Sequence, residues 1–138
     1  MSYFDQYLES RVLSASPVEL VQMVYQGALD ATVTARKHFV SGNIPERTRS
    51  LNLASALITE LVLSLECPPG PEGAQLERNL RRLYDYVLHQ IAQAAIEQNA
   101  QPLDLADQVM RQLLEGWKAI DTPQHAEDYT PEAICVSA

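Results

Sequence analysis

Cysteine, glycine, positive charge and long apolar runs are all scarce in this chain. Two cysteines, Cys67 and Cys135, are too few for a disulfide framework and favour a reduced setting. Five glycines in 138 residues supply too few turn points for a protein of many short strands. No apolar stretch approaches the roughly 20 residues needed to cross a bilayer, so membrane insertion is not expected. Ten Lys and Arg face eighteen Asp and Glu, a net charge of -8, which argues against nucleic acid or an anionic membrane surface as partner. The opening MSYFDQYLESR has neither the basic start nor the apolar run of a signal peptide, and the expected location is the cytosol.

Catalytic vocabulary is missing as well. The three histidines, His38, His89 and His125, are scattered. None follows a Glu by three residues, as a carboxylate-bridged di-iron bundle requires. No zinc-protease motif, phosphate loop or nucleophile elbow occurs. Cys67, followed by two prolines, reads as a helix-end residue rather than a nucleophile. These absences point away from an enzyme, and no cofactor or metal is expected.

What is present is helical periodicity, in a chain long enough to bury roughly two thirds of its unfolded surface as one domain. Ala, Leu, Gln and Glu abound, and the expected fold is all-α, an antiparallel four-helix bundle. Ser16, Pro17 and Glu19 form a helix start: a hydroxyl cap, a proline where no N–H is needed, and a carboxylate on the positive end. Leu20, Val24, Gly27/Ala28 and Ala31 recur behind it, with Val21 and Tyr25 on an adjacent row. Ser41-Gly42-Asn43 breaks this helix near Phe39 or Val40, and Asn43 with Glu46 can cap the next. The second helix carries a seam of Leu51, Ala54, Ile58, Leu61 and Leu65, and ends at Cys67-Pro-Pro-Gly-Pro. The third should run from Pro71 or Glu72 to about Gln98 on Leu76, Leu80, Leu83, Val87, Ile91 and Ala94/Ala95. Its Arg78, Arg81 and Arg82 read as a solvated face rather than a docking patch. The fourth uses Leu103, Ala106, Val109/Met110, Leu113, Trp117 and Ile120, and stops at Asp121-Thr-Pro123. Residues 1–122 are therefore expected to form the bundle domain and 123–138 a flexible, disordered tail.

Three segments, ASPVELVQMVYQGAL, NLRRLYDYVLHQI and LLEGWKAI, together resemble the FliS family of flagellin export chaperones. The residues that carry the resemblance are Ala15, Ser16, Pro17 and Leu20; Tyr25, Gly27, Ala28 and Leu29; Asn79, Leu80, Leu83, Tyr84, Asp85 and Tyr86; and Trp117. Their order and spacing hold from about Tyr3 to Ile120. Val24 and Gln26 depart from the first motif, ECPPGPEG replaces the family's usual short acidic turn, and the tail is longer than the resemblance covers.

The resemblance implies a cytoplasmic chaperone that binds the C-terminal segment of flagellin, prevents its premature polymerisation and delivers it to the flagellar export gate. It also implies a mobile N-terminal cover over the binding groove, which by position is Tyr3, Phe4, Tyr7 and Leu8. Apolar residues beyond the needs of a core, Leu53, Leu57, Leu105 and Val109, are candidates for a groove that accepts an amphipathic helix. Tyr25 joins them as an aromatic marker, although a core tyrosine is the plainer reading. The expected state is a monomer or weak homodimer. Two rival readings remain: a histidine phosphotransfer-like four-helix module, and a generic helical protein that dimerises through its spare apolar face.

Overall fold

The computed structural model describes residues 17–120. The Ser16 cap, the proposed cover and the tail lie outside them. Four helices occupy the described residues: α1, Pro17–Ser41; α2, Ile44–Leu63; α3, Pro71–Glu97; and α4, Gln101–Ile120. Among the described residues no strand occurs, and no helix is long and apolar enough to cross a membrane.

Local chemistry sets the boundaries. Gly42 takes a left-handed φ of +73°, and Asn43 N–H donates back to the His38 carbonyl at 3.0 Å, closing α1. Asn43 Oδ1 then accepts the Glu46 N–H at 3.3 Å, the cap expected at the start of α2. Arg47 lies over the Phe39 ring at 4.6 Å and fastens the two helices across this turn. At the other end, the proline-rich stretch brings backbone against backbone. A Cβ on Gly73 would lie 1.7 Å from the Pro68 carbonyl oxygen, so only glycine fits in the first turn of α3. Gln98 ends α3 in the left-handed conformation, φ 53°, and Asn99 Oδ1 accepts the Gln101 N–H at 2.9 Å. The fourth helix thus begins at Gln101.

Links of two residues between α1 and α2, and three between α3 and α4, force each pair to run antiparallel. α2 packs on both α1 and α3, and α4 packs on both α3 and α1. The result is an antiparallel four-helix ring in which α2 and α4 are diagonal. The predicted seam is buried throughout, Leu51, Ala54, Ile58 and Leu61 on α2 and Leu65 just beyond it, but the helix stops at Leu63 with Ser64 as its cap, before the expected end at Cys67 and its prolines. On α3, Leu80, Val87, Ile91 and Ala94 are buried with Tyr84 among them, while Leu76 and Leu83 sit half-buried on the flank. On α4 the central line is Leu103, Ala106, Met110, Leu114 and Trp117, with Val109 and Leu113 to one side.

The first helix bears out part of the expected face, with Ala28 and Ala31 buried, and shifts the rest towards the adjacent row. Tyr25, Ala28, Thr32 and Ala35 point inward, whereas Leu20, Val24 and Gly27 are only half-buried. The reason lies in partner groups: the polar ends of Tyr25 and Thr32 find hydrogen bonds inside, so these residues can take the central positions.

Candidate protein-binding surface

The interior of the bundle is not purely apolar, and its polar groups hold α1 in place. Tyr25 Oη and Tyr84 Oη are 2.5 Å apart, joining α1 to α3 across the core, with the rings tilted at 50°. Burial raises both phenol pKa values above the ordinary one, and their mutual proximity raises that of Tyr25 further; both stay neutral. Gln22 Nε2 donates to the Trp117 carbonyl at 3.3 Å, near the opposite end of the α1–α4 contact from Asp107.

At Asp107 the Thr32 hydroxyl donates to Oδ1 at 2.7 Å. Arg36 Nη2 stands 2.8 Å from Asp107 Oδ2 and 2.7 Å from Asp104 Oδ1. These Arg36 contacts are ion pairs without hydrogen-bond alignment, since Arg36 Nη2 and Asp107 Oδ2 have no hydrogen-bond partner. Burial pushes the Asp107 carboxyl up, against the Thr32 hydrogen bond and the charges of Arg36 and Arg111, which pull it down. Asp107 is enclosed between α1 and α4, while Arg36 and Asp104 carry the network to the surface. Its chemistry is structural: it specifies how α1 and α4 align. Among the described residues no acidic, histidine or cysteine cluster could hold a metal ion.

The outer surface carries the apolar surplus. On α2, Leu53 is 52% exposed, and Leu57, one turn on, is half-buried. The Leu57 Cδ1 atom lies 3.2 Å from where a Gly27 Cβ would stand, so α1 and α2 approach closely here because Gly27 has no side chain. The half-buried Leu20, Met23 and Val24 continue this α1–α2 strip towards the start of α1. On α4, Leu105 is 46% exposed, and Val109 and Leu113 sit further along the helix, half-buried. Leu105 also lines an open groove of about 430 Å³ between the end of α3 and the start of α4, with Gln90, Gln93, Glu97, Gln101, Pro102 and Asp104.

The sequence candidates therefore fall into three places. Leu53 and Leu57 share the α1–α2 strip. Leu105 and Val109 share the α3–α4 strip, on the diagonal helix, so the four do not line a single groove. Tyr25 is 0% exposed and belongs to the core, because its ring fills the centre and its hydroxyl is spent on Tyr84; a partner on the described surface does not reach it. Tyr3, Phe4, Tyr7 and Leu8 lie outside the described residues. Sequence reasoning missed the exposed Val40, Ile44 and Ile96, which lie near helix ends where apolar periodicity lapses. It also missed the buried Thr32 and Asp107, whose pairing spans 75 positions and leaves no local signal.

Comparison with known proteins gives one consistent answer. A family model described as flagellar protein FliS matches residues 1–124. The flagellar secretion chaperone FliS of Salmonella typhimurium is 31% identical over 120 residues, covering 86% of this chain and 87% of its own. The protein of the same name from Vibrio cholerae is 31% identical over 125 residues, 90% and 89% of the two chains. That of Bacillus subtilis is 24% identical over 115 residues, 83% of each.

Proposed function

The chain belongs to the FliS family of flagellar proteins, and from that premise we propose that it binds the C-terminal segment of flagellin, keeps it from polymerising and delivers it to the flagellar export apparatus. The observation that carries this reading is the pair of apolar strips on diagonal helices, exposed Leu53 with half-buried Leu57 on α2 and exposed Leu105 with half-buried Val109 on α4. A rigid partner would need one continuous face. A segment that is unfolded when free can instead wrap the ring, placing one apolar stretch on the Leu53–Leu57 strip and another on the Leu105–Val109 strip. Such a segment gains helix as it docks, and its own apolar residues are withheld from self-assembly while bound. The role is that of a holder rather than an enzyme.

Calorimetry with the isolated C-terminal segment of flagellin tests the proposal. Coupled folding that buries on the order of 1,000–3,000 Å² gives a clearly negative heat-capacity change. Charging either strip, by Leu53→Asp or Leu105→Asp, should weaken binding by about tenfold or more, equivalent to roughly 1.4 kcal/mol. Both residues are exposed enough for the fold to tolerate the change. Loss from one variant alone would confine the partner to a single strip, and absence of heat with the unaltered protein would end the assignment.

A further inference from the structure

The basic run on α3 has no role in flagellin binding as proposed. Arg78, Arg81 and Arg82 hold three of the ten positive residues within five positions, share one face of the helix, and are all exposed. Of the other arginines in the described residues, Arg111 is exposed and acts on Asp107 only through its charge, and the rest have partners close by. Arg36 pairs with Asp104 and Asp107, Arg49 with Glu46, and Arg47 covers Phe39. On α3, by contrast, Arg81 has only a 3.5 Å contact with Glu77, Arg78 reaches the neutral Gln75, and Arg82 has no ion pair among the described residues. The run is the largest local cluster of positive residues in a chain with net charge -8.

The geometry of α4 brings an acidic segment to it. The two helices run antiparallel and each rises about 1.5 Å per residue, so Gln101 to Ile120 retraces Glu97 back to Arg78. The chain therefore leaves α4 at the level of the basic run. The remaining residues, 121–138, include Asp121, Glu127, Asp128 and Glu132 and no Lys or Arg. Glu127 lies seven positions beyond Ile120, a reach of up to about 25 Å, against a helix diameter of about 10–12 Å. The family match ends at residue 124, so most of this acidic stretch is extra to the family pattern.

We propose that the C-terminal segment docks on Arg78, Arg81 and Arg82 of its own chain, acting as a built-in acidic ligand for that face. The tether holds the acids at an effective concentration in the millimolar range, so weak, exposed contacts suffice. Any external acidic segment must displace the tail to use the same arginines. The inference does not depend on flagellin binding.

The test is NMR on the full-length protein, monitoring the backbone amides of residues 124–138 and the side-chain Nε–H signals of the three arginines. Raising salt to about 1 M, where the screening length falls to about 3 Å, should move both sets towards free-tail and free-arginine positions. Triple charge reversal, Arg78→Glu with Arg81→Glu and Arg82→Glu, should shift the tail amides in the same direction. Neutralising the tail, Glu127→Gln with Asp128→Asn and Glu132→Gln, should shift the arginine signals. Salt titration of the unaltered chain provides the readout should the triple arginine variant fold poorly. Tail and arginine signals that ignore salt and both sets of substitutions overturn the proposal. So do shifts that scale with protein concentration, which would assign the acidic ligand to a second copy.

Discussion

The two sides of α1 are built on opposite principles. Towards α2 the contact is dry, and its closeness is set by what Gly27 lacks, with Leu57 filling the space of a missing side chain. Towards α4 the contact is polar and depends on what is present: Thr32, Arg36 and a carboxylate that is almost wholly buried. An apolar seam gains from burial but slides easily, because neighbouring registers bury similar surface. A charged seam gains little net energy from burial yet strongly penalises misalignment, since a shifted register strands Asp107 without a partner. One side of the helix supplies proximity and the other supplies register.

The largest test of this contrast removes the guanidinium. Arg36→Ala leaves Asp107 buried with only its Thr32 hydrogen bond and should cost roughly 2–3 kcal/mol in urea unfolding, below the full value for a buried pair because Arg36 is partly open to solvent. A loss of a few tenths of a kcal/mol would show that the polar seam carries no special weight. Next comes the diagonal tyrosine pair. Tyr25→Phe strands the Tyr84 hydroxyl and should cost about 1–2 kcal/mol, part of which returns in the double variant Tyr25→Phe/Tyr84→Phe; a double-mutant cycle measures the difference.

On the dry side the expected effect is smaller and opposite in sign. Gly27→Ala brings a Cβ to 3.2 Å from Leu57 Cδ1, the far end of a half-buried side chain that can give way. The helix propensity gained, up to about 1 kcal/mol, should then raise the melting temperature. A fall would mean that Leu57 is held too firmly to move.

The subtlest test is pH. The folded carboxyl of Asp107 lies above its ordinary value of 3.8, so the native state binds this proton more tightly than the unfolded chain. Its contribution is greatest below that value and is lost as pH rises through the folded pKa. Stability relative to the non-titrating Asp107→Asn should therefore improve on acidification from neutral towards the carboxylate range. A relative decline would mean that Arg36 outweighs burial.

Much of the frame is legible in the chain itself. The α2 seam, the Asn43 cap and the central position of Trp117 all rest on local chemistry or short periods. Tyr84 and Tyr86 show where that reasoning stops. Two residues apart on a helix they cannot share a face, and the buried hydroxyl partner that Tyr84 finds inside, Tyr25, lies 59 positions away where no local pattern shows it. The same holds for Asp107, which looks like a surface acid until Thr32 and Arg36 are brought beside it. The apolar surplus at Leu53, Leu57, Leu105 and Val109 is visible in the sequence as surplus; its division between two diagonal helices is not, because that depends on ring order.

The Pro68–Gly73 contact bears on how the bundle could be rebuilt. With backbone filling the space of a side chain, the α2–α3 connection acts as the spine of a two-leaved book, one leaf being α1 with α2 and the other α3 with α4. A chain re-cut to begin and end at this spine would lose the contact that sets the angle between the leaves. A new opening at Gly42, where a Cβ would meet nothing within 4 Å, would leave the spine intact. Gly42 is thus the place to insert a reporter or new termini, and the spine is the place to avoid.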